Sequence, residues 1–292
     1  MLPPDLLSSG WAADYKSAAS RWFQVDTITS RTNPKIKQAR ALRQRKEREA
    51  SGLFLVEGIT HVAAAIEAGA TVEYICYAPD TLTSPFAKDL IAQTAARNIA
   101  CYPTSTAVFE SLSEKENPAG LIAVVRKPIS ARSIQLLREA ANNQSWFVAL
   151  VSPQDPGNIG AILRTLDAVG ASGLLLLDGG ADPFHPSAVR ASMGAIFRLP
   201  IVSATFGEFS AWAKEHGFNL IGASARARAD YRTAEYKRPL ILLLGSEQKG
   251  LSPEQTAACS QMIRLPMQGK VSSLNLAVAA GVMLYEMLAR SR

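Results

Sequence analysis

Two short runs, Leu174-Leu175-Leu176-Leu177 and Leu240-Ile241-Leu242-Leu243-Leu244, are apolar at every position. A strand with one wet face alternates apolar and polar residues, so unbroken runs of this length predict strands covered on both faces, as in a parallel sheet flanked by helices. They are far short of the roughly 18 apolar residues that span a bilayer. Around them the signals alternate. A strand over Phe147–Val151 is followed by a helix from about Ile159 to Val169 and then by the Leu174–Leu177 strand. A similar alternation comes earlier: strand Leu53–Val56, helix Ile59–Glu67, strand Val72–Tyr77, helix Pro85–Arg97 and strand Leu121–Val125. The 292 residues therefore divide into an N-terminal extension (1–26), a small α/β domain (27–128), a linker (129–145) marked by Lys127-Pro128 and the polar Asn142–Ser145 stretch, and a second α/β domain (146–292).

Composition narrows the function. With 48% hydrophobic and 19% charged residues the chain is globular rather than disordered. Cys76, Cys101 and Cys259 are far apart and form no C-x-x-C pair, so neither a disulfide framework nor a thiolate metal site is expected. Residues 1–26 show no targeting pattern, which favours the cytoplasm. The glycine fingerprint of dinucleotide enzymes, the P-loop, the zincin H-E-x-x-H and the hydrolase G-x-S-x-G are all missing. His61, His185 and His216 are scattered, and His185 reads as a loop residue rather than a ligand.

The net charge of +6 is not spread evenly. Arg31, Lys35, Lys37, Arg40, Arg43, Arg45, Lys46 and Arg48 stand against Glu47 alone, so +7 falls in eighteen residues and the rest of the chain sums to −1. Asn33-Pro34 suits a helix start, and Ile36, Ala39 and Leu42 recur at three-residue spacing, leaving the cations on the other faces. A solvated helix face is one reading; this concentration in an otherwise near-neutral chain favours phosphate binding, which positions a nucleic acid without reading its sequence.

Three segments of the second domain differ from scaffold. Pro153–Arg164 leaves a strand and enters a helix whose Ile159, Ile162, Leu163, Leu166 and Val169 share one face while Arg164 points the opposite way. Arg164 could reach a ligand or pair with Asp167 one turn on. Leu244–Ser252 follows a strand's C-terminal end, the ligand edge of an open parallel sheet, and its Gly245 and Gly250 permit close backbone approach. Ile263–Asn275 ends a strand in a Pro/Gly loop, where Ser272 or Ser273 could cap the C-terminal helix.

The order and spacing of these segments resemble one family. Asn158, Gly160 and Arg164, then Leu244-Gly245-Ser246-Glu247, then Leu265-Pro266-Met267 through Gly269 to Ser273-Leu274-Asn275 resemble the three signature motifs of the TrmH/SpoU branch of SPOUT RNA methyltransferases, as does Asp182–Ala195. Gln248 stands where that family commonly has glycine. Phe54–Gly58 and Glu116–Gly120 are similar to the ribosomal-protein-like substrate-binding domain often placed ahead of it. The resemblance implies S-adenosylmethionine as methyl donor, no metal, a deep C-terminal trefoil knot, and a homodimer with the pocket near the subunit contact. It implies that main chain at Gly245, Leu265 and Leu274, with Leu244, Gly250 and Gly269 nearby, holds the donor. Arg164 would sit at the reacting ribose, with Asn158, Glu247, Ser273 and Asn275 shaping the pocket and the basic run meeting RNA. The expected activity is 2′-O-methylation of a structured RNA, ribosomal RNA before transfer RNA. A non-enzymatic RNA-binding or assembly factor on the same fold is the alternative.

Overall fold

The computed structural model describes residues 26–114, 118–128, 134–137 and 142–290. It divides after Arg126 into two compact units. Residues 1–25, Glu116 and Asn117, and residues 129–133 and 138–141 of the expected linker lie outside the described residues. The described part of that linker, the turn Ile134–Leu137, sends Leu137 into the core of the second unit. Among the described residues no helix is long and apolar enough to cross a membrane.

The first unit runs α1 (Pro34–Ala41), α2 (Arg45–Ser51), β1 (Leu53–Glu57), α3 (Ile59–Glu67), β2 (Val72–Tyr77), α4 (Pro85–Ala96), β3 (Ala100–Pro103), α5 (Thr106–Glu110) and β4 (Leu121–Arg126). Its sheet has the order β1-β4-β2-β3, with β4 antiparallel to both neighbours and β3 parallel to β2. Ile36, Ala39 and Leu42 pack with Leu55, Tyr74 and Phe109 in one core, so the three-residue apolar spacing marks the buried face.

The basic run forms two helices where one was expected. Asn33 caps α1 by accepting from the Lys35 amide at 2.9 Å. After Leu42 the chain turns, and the Arg48 guanidinium folds back to donate to the carbonyls of Leu42 (2.8 Å) and Arg43 (2.7 Å). Helix ends leave such carbonyls unpaired, so Arg48 satisfies a broken end instead of facing solvent. At 1% exposure it is not available to RNA, and the expectation that it contacts RNA is corrected. Charge-assisted hydrogen bonds contribute about 1.5–3 kcal/mol each; Arg48→Ala should therefore cost about 2–3 kcal/mol in urea unfolding, and an unchanged midpoint would contradict this role.

The second unit runs β5 (Trp146–Val151), α6 (Pro156–Val169), β6 (Gly173–Leu177), α7 (Pro186–Ala191), β7 (Ile201–Ala204), α8 (Phe206–Glu215), β8 (Asn219–Ala223), β9 (Ala229–Asp230), β10 (Leu240–Leu244), α9 (Pro253–Ala257), β11 (Gln261–Arg264) and α10 (Leu276–Arg290). Its sheet order is β7-β6-β5-β10-β8-β11-β9, and every pairing is parallel. Every residue of β6 and β10 is buried, as the unbroken apolar runs require. Strand β10 lies between β5 and β8, with Leu244 in register with Leu150 and Ala223. The turns that follow β5, β8 and β10 thus leave the sheet side by side at its carboxyl edge. Helix α6 starts three residues before its apolar periodicity does, because Asp155 caps it by accepting from the Gly157 amide at 2.7 Å and Pro156 occupies the first position.

Candidate active site at the carboxyl edge of the parallel sheet

A chain of side-chain hydrogen bonds joins three segments distant in sequence. Glu247, in the turn after β10, accepts from Asn158 Nδ2 at 3.0 Å and from the Gln154 amide at 3.2 Å. Asn158, in the first turn of α6, accepts in turn from Asn275 Nδ2 at 2.9 Å. Asn275 Oδ1 then accepts from the amides of Ala277 (2.9 Å) and Val278 (3.3 Å) and so caps α10. The residue types follow from these duties. A carboxylate only accepts, whereas an amide both donates and accepts and can relay orientation from one group to the next. The cap expected from Ser272 or Ser273 is supplied by Asn275, and both serines line the adjoining cavity instead.

Gly245 sets the shape of the turn. A Cβ there would stand 2.1 Å from the carbonyl carbon of Gly250 and 2.5 Å from the Leu251 nitrogen, so the turn closes on itself only because residue 245 has no side chain. The Gly250 amide donates to the Ser246 carbonyl at 2.9 Å, with Gly250 at φ +66°. Gln248 is not among the residues with positive φ, so the glycine common there in the family is not required by this turn. Gly160 has a packing reason of its own: a Cβ would lie 2.2 Å from the Ala188 carbonyl oxygen, where α6 meets α7.

The turn, the Leu265–Leu276 loop and the end of β8 enclose an open cavity of about 1270 Å³. Leu244, Gly245, Gly250, Leu265 and Leu274 line it, as do Glu247, Ser273 and Asn275. Gly269 does not line it and is exposed. Asn158 stands behind the wall, 7% exposed. The apolar stretch of wall from Leu244, Leu265, Met267 and Leu274, beside the Glu247 carboxylate, fits an adenosyl group bearing a sulfonium.

Arg164 is not among the cavity's lining residues. Six residues beyond Asn158, it lies about 9 Å along α6 and about two-thirds of a turn round. It is exposed, and among the described residues no hydrogen bond or ion pair engages it. The pairing with Asp167 is replaced by Arg198, whose Nη2 lies 2.7 Å from Asp167 Oδ2. His185 accepts from the Ser187 amide and caps α7, in keeping with a loop role. Burial pushes the thiols of Cys76 and Cys101 up to about 12 and that of Cys259 up to about 11, so none is a thiolate nucleophile at neutral pH. Among the described residues no group of acidic, histidine or cysteine side chains could hold a metal. Sequence reading missed Arg226 and Lys249, which also line the cavity. The sole signal for Arg226 was its position just past a strand end, and β8 itself went unread.

Three loops meeting over the carboxyl edge of an all-parallel sheet, in a unit that follows a separate α/β unit along the chain, define a two-unit protein with its candidate active site in the second unit. Residues 145–285 match the SpoU rRNA Methylase family and residues 33–123 the MRM3-like substrate binding domain; the chain belongs to the SpoU rRNA methylase family. It is 34% identical, over 93% of its length and 94% of the relative's, to the 23S rRNA (uridine(2479)-2′-O)-methyltransferase of Streptomyces viridochromogenes. It is 28% identical, over 89% and 98%, to the 23S rRNA (guanosine(2553)-2′-O)-methyltransferase RlmP of Bacillus subtilis. The crystal structure of an AdoMet-bound rRNA methyltransferase from Sinorhizobium meliloti superposes with a TM-score of 0.81 at 34% identity, covering 91% of this chain and 98% of that one.

Proposed function

We propose that this chain transfers a methyl group from S-adenosylmethionine to the 2′-oxygen of a ribose in 23S-type ribosomal RNA. The observation that carries the reading is the Glu247–Asn158–Asn275 chain, which ties the three signature segments together, two of them lining one cavity and the first standing behind its wall. The named activities of the relatives support ribosomal RNA over transfer RNA and over a non-catalytic role. When bound, S-adenosylmethionine supplies a methyl made electrophilic by its sulfonium. Main chain at Gly245, Leu265 and Leu274 holds the adenosyl group, with Leu244 and Gly250 completing the wall. Glu247, Ser273 and Asn275 line the place of the reacting sugar, and Asn158 shapes the pocket from behind by holding Glu247 and Asn275. A ribose hydroxyl is a very weak acid, so the site must favour alkoxide character. A guanidinium stays protonated, so Arg164 acts by stabilising the developing alkoxide while the hydroxyl proton passes to solvent.

A homodimer and a trefoil knot belong to the same proposal. Strand β10 lies between two strands that precede it in sequence, as a threaded chain end requires. Val278, Val282 and Tyr285 are exposed on one face of α10, which packs along α6. A second copy seated there covers this apolar stripe and brings its own Arg164 to the cavity. A cytoplasmic location belongs to the same proposal, supported by the ribosomal RNA activity named for the relatives.

In the first unit, RNA binding falls to Arg31, Lys35, Lys37, Arg45 and Lys46, which are exposed, and to Arg40 and Arg43, which are half-buried. Purified protein should label unmodified 23S transcripts from methyl-tritiated S-adenosylmethionine, with transfer RNA left unlabelled; label on transfer RNA alone, or none, would overturn the reading. Neutralising Lys37, Arg45 and Lys46 together should weaken RNA binding and flatten its salt dependence by about 0.7–0.9 for each phosphate no longer neutralised. An unchanged slope would return this surface to a merely solvated one.

A further inference from the structure

Two cations line the cavity of the second unit, one more than the donor's single carboxylate balances. Of the residues lining the cavity, the ionisable ones are Arg226, Glu247 and Lys249. Glu247 is engaged by Asn158 and the Gln154 amide. Arg226 and Lys249 are exposed, and among the described residues neither makes an ion pair or a side-chain hydrogen bond. Two unpaired cations beside one occupied carboxylate oppose a donor that is itself cationic at sulfur, and they favour a polyanion.

Backbone geometry puts the two on the same rim. Strands β8 and β10 are hydrogen-bonded neighbours, with Ala223 opposite Leu244, so the loops after them emerge about 4.8 Å apart. Arg226 stands at the turn in which Ala227 donates to the Ser224 carbonyl. Lys249 sits at the far end of the turn that holds Glu247, where its amide donates to Ser246 Oγ at 3.2 Å. Both residues line the same cavity as Glu247, so a ribose that reaches Glu247 comes beside them, and a ribose in RNA arrives with a phosphate on either side.

We infer that Arg226 and Lys249 form a phosphate-binding pair that grips the phosphodiesters flanking the target ribose. The inference rests on the methyl-transfer reading and gives the second unit an RNA grip of its own. Arg supplies a planar fork for phosphate oxygens and Lys a point charge. Neither reads bases, so the pair positions the sugar whatever the sequence around it.

The test uses the full chain, with an unmodified 23S transcript as RNA and S-adenosylhomocysteine as donor-site probe. The variants are the double substitution Arg226→Gln/Lys249→Gln and, as a charge control outside the cavity lining, Lys214→Gln on α8. Both side chains being exposed and unpaired, the double variant should unfold at the wild-type temperature. Expected are a weaker RNA affinity, a fall of about one to two in the slope of log Kd against log salt, a raised KM for RNA, and unchanged affinity for S-adenosylhomocysteine. An unchanged slope overturns the inference, as does an equal change in the Lys214 control, which would reveal only a general field. Weakened S-adenosylhomocysteine binding also overturns it, by assigning the cations to the donor's carboxylate. If the wild type transfers no label, the methyl-transfer reading itself has failed, a result distinct from all of these.

Discussion

Arg164→Ala should lower kcat for methyl transfer by on the order of 10²–10³, the usual loss when one preorganised electrostatic donor is removed, while S-adenosylhomocysteine binds as before. The separation follows from position. Within its own chain Arg164 does not line the cavity, so truncating it leaves that chain's donor walls in place. It projects from the face of α6 opposite the buried Ile159, Ile162 and Leu163, and truncation there leaves the core untouched. Titration calorimetry with S-adenosylhomocysteine beside single-turnover kinetics reads both quantities. Wild-type turnover in the variant would remove Arg164 from the mechanism; a loss of donor binding would make it a wall residue.

Gly245→Val should weaken donor binding so far that little is bound at assay concentrations, while leaving the fold standing. Even a bare Cβ at 245 meets the Gly250 carbonyl carbon at 2.1 Å, and the two added methyls of valine deepen the clash. The sheet cannot yield, because β10 is paired on both sides, so the 246–250 turn must move. Overpacking of this kind costs about 1–3 kcal/mol, and a shift that opens the donor's wall should raise the S-adenosylhomocysteine Kd on the order of a hundredfold. Unaltered affinity would show that the donor does not rest against this turn.

What could be read beforehand was local. Leu174–Leu177 and Leu240–Leu244 declared doubly covered strands because no position was spared for water, and Ile36, Ala39 and Leu42 marked a buried helix face. Asn219–Ala223 and Ala100–Pro103 did not stand out, since a run of four or five residues with Gly222 or Pro103 in it differs little from a loop. Strand order was hidden for a different reason: β10 sits between β5 and β8, and its pairing with β5 joins residues nearly a hundred positions apart, which no window on the chain contains. Arg48 was counted with the exposed cations because charge alone does not reveal a guanidinium turned onto its own backbone. At the site, the residue types of Asn158, Glu247 and Asn275 were visible as a motif, but their mutual hydrogen bonds and the cap formed by Asn275 were not. Arg226 needed its strand first.

Mixing the two inactive variants gives the most direct test of the claim that the cavity built by three segments is completed by Arg164 of a second copy. Arg164→Ala subunits keep an intact cavity, and Gly245→Val subunits keep an intact arginine. Random reassociation in a twofold dimer makes half the molecules mixed, each with one complete site, so activity on 23S transcripts should recover to about a quarter of wild type. No recovery, in a mixture shown by native mass spectrometry to contain the mixed dimer, would contradict the claim.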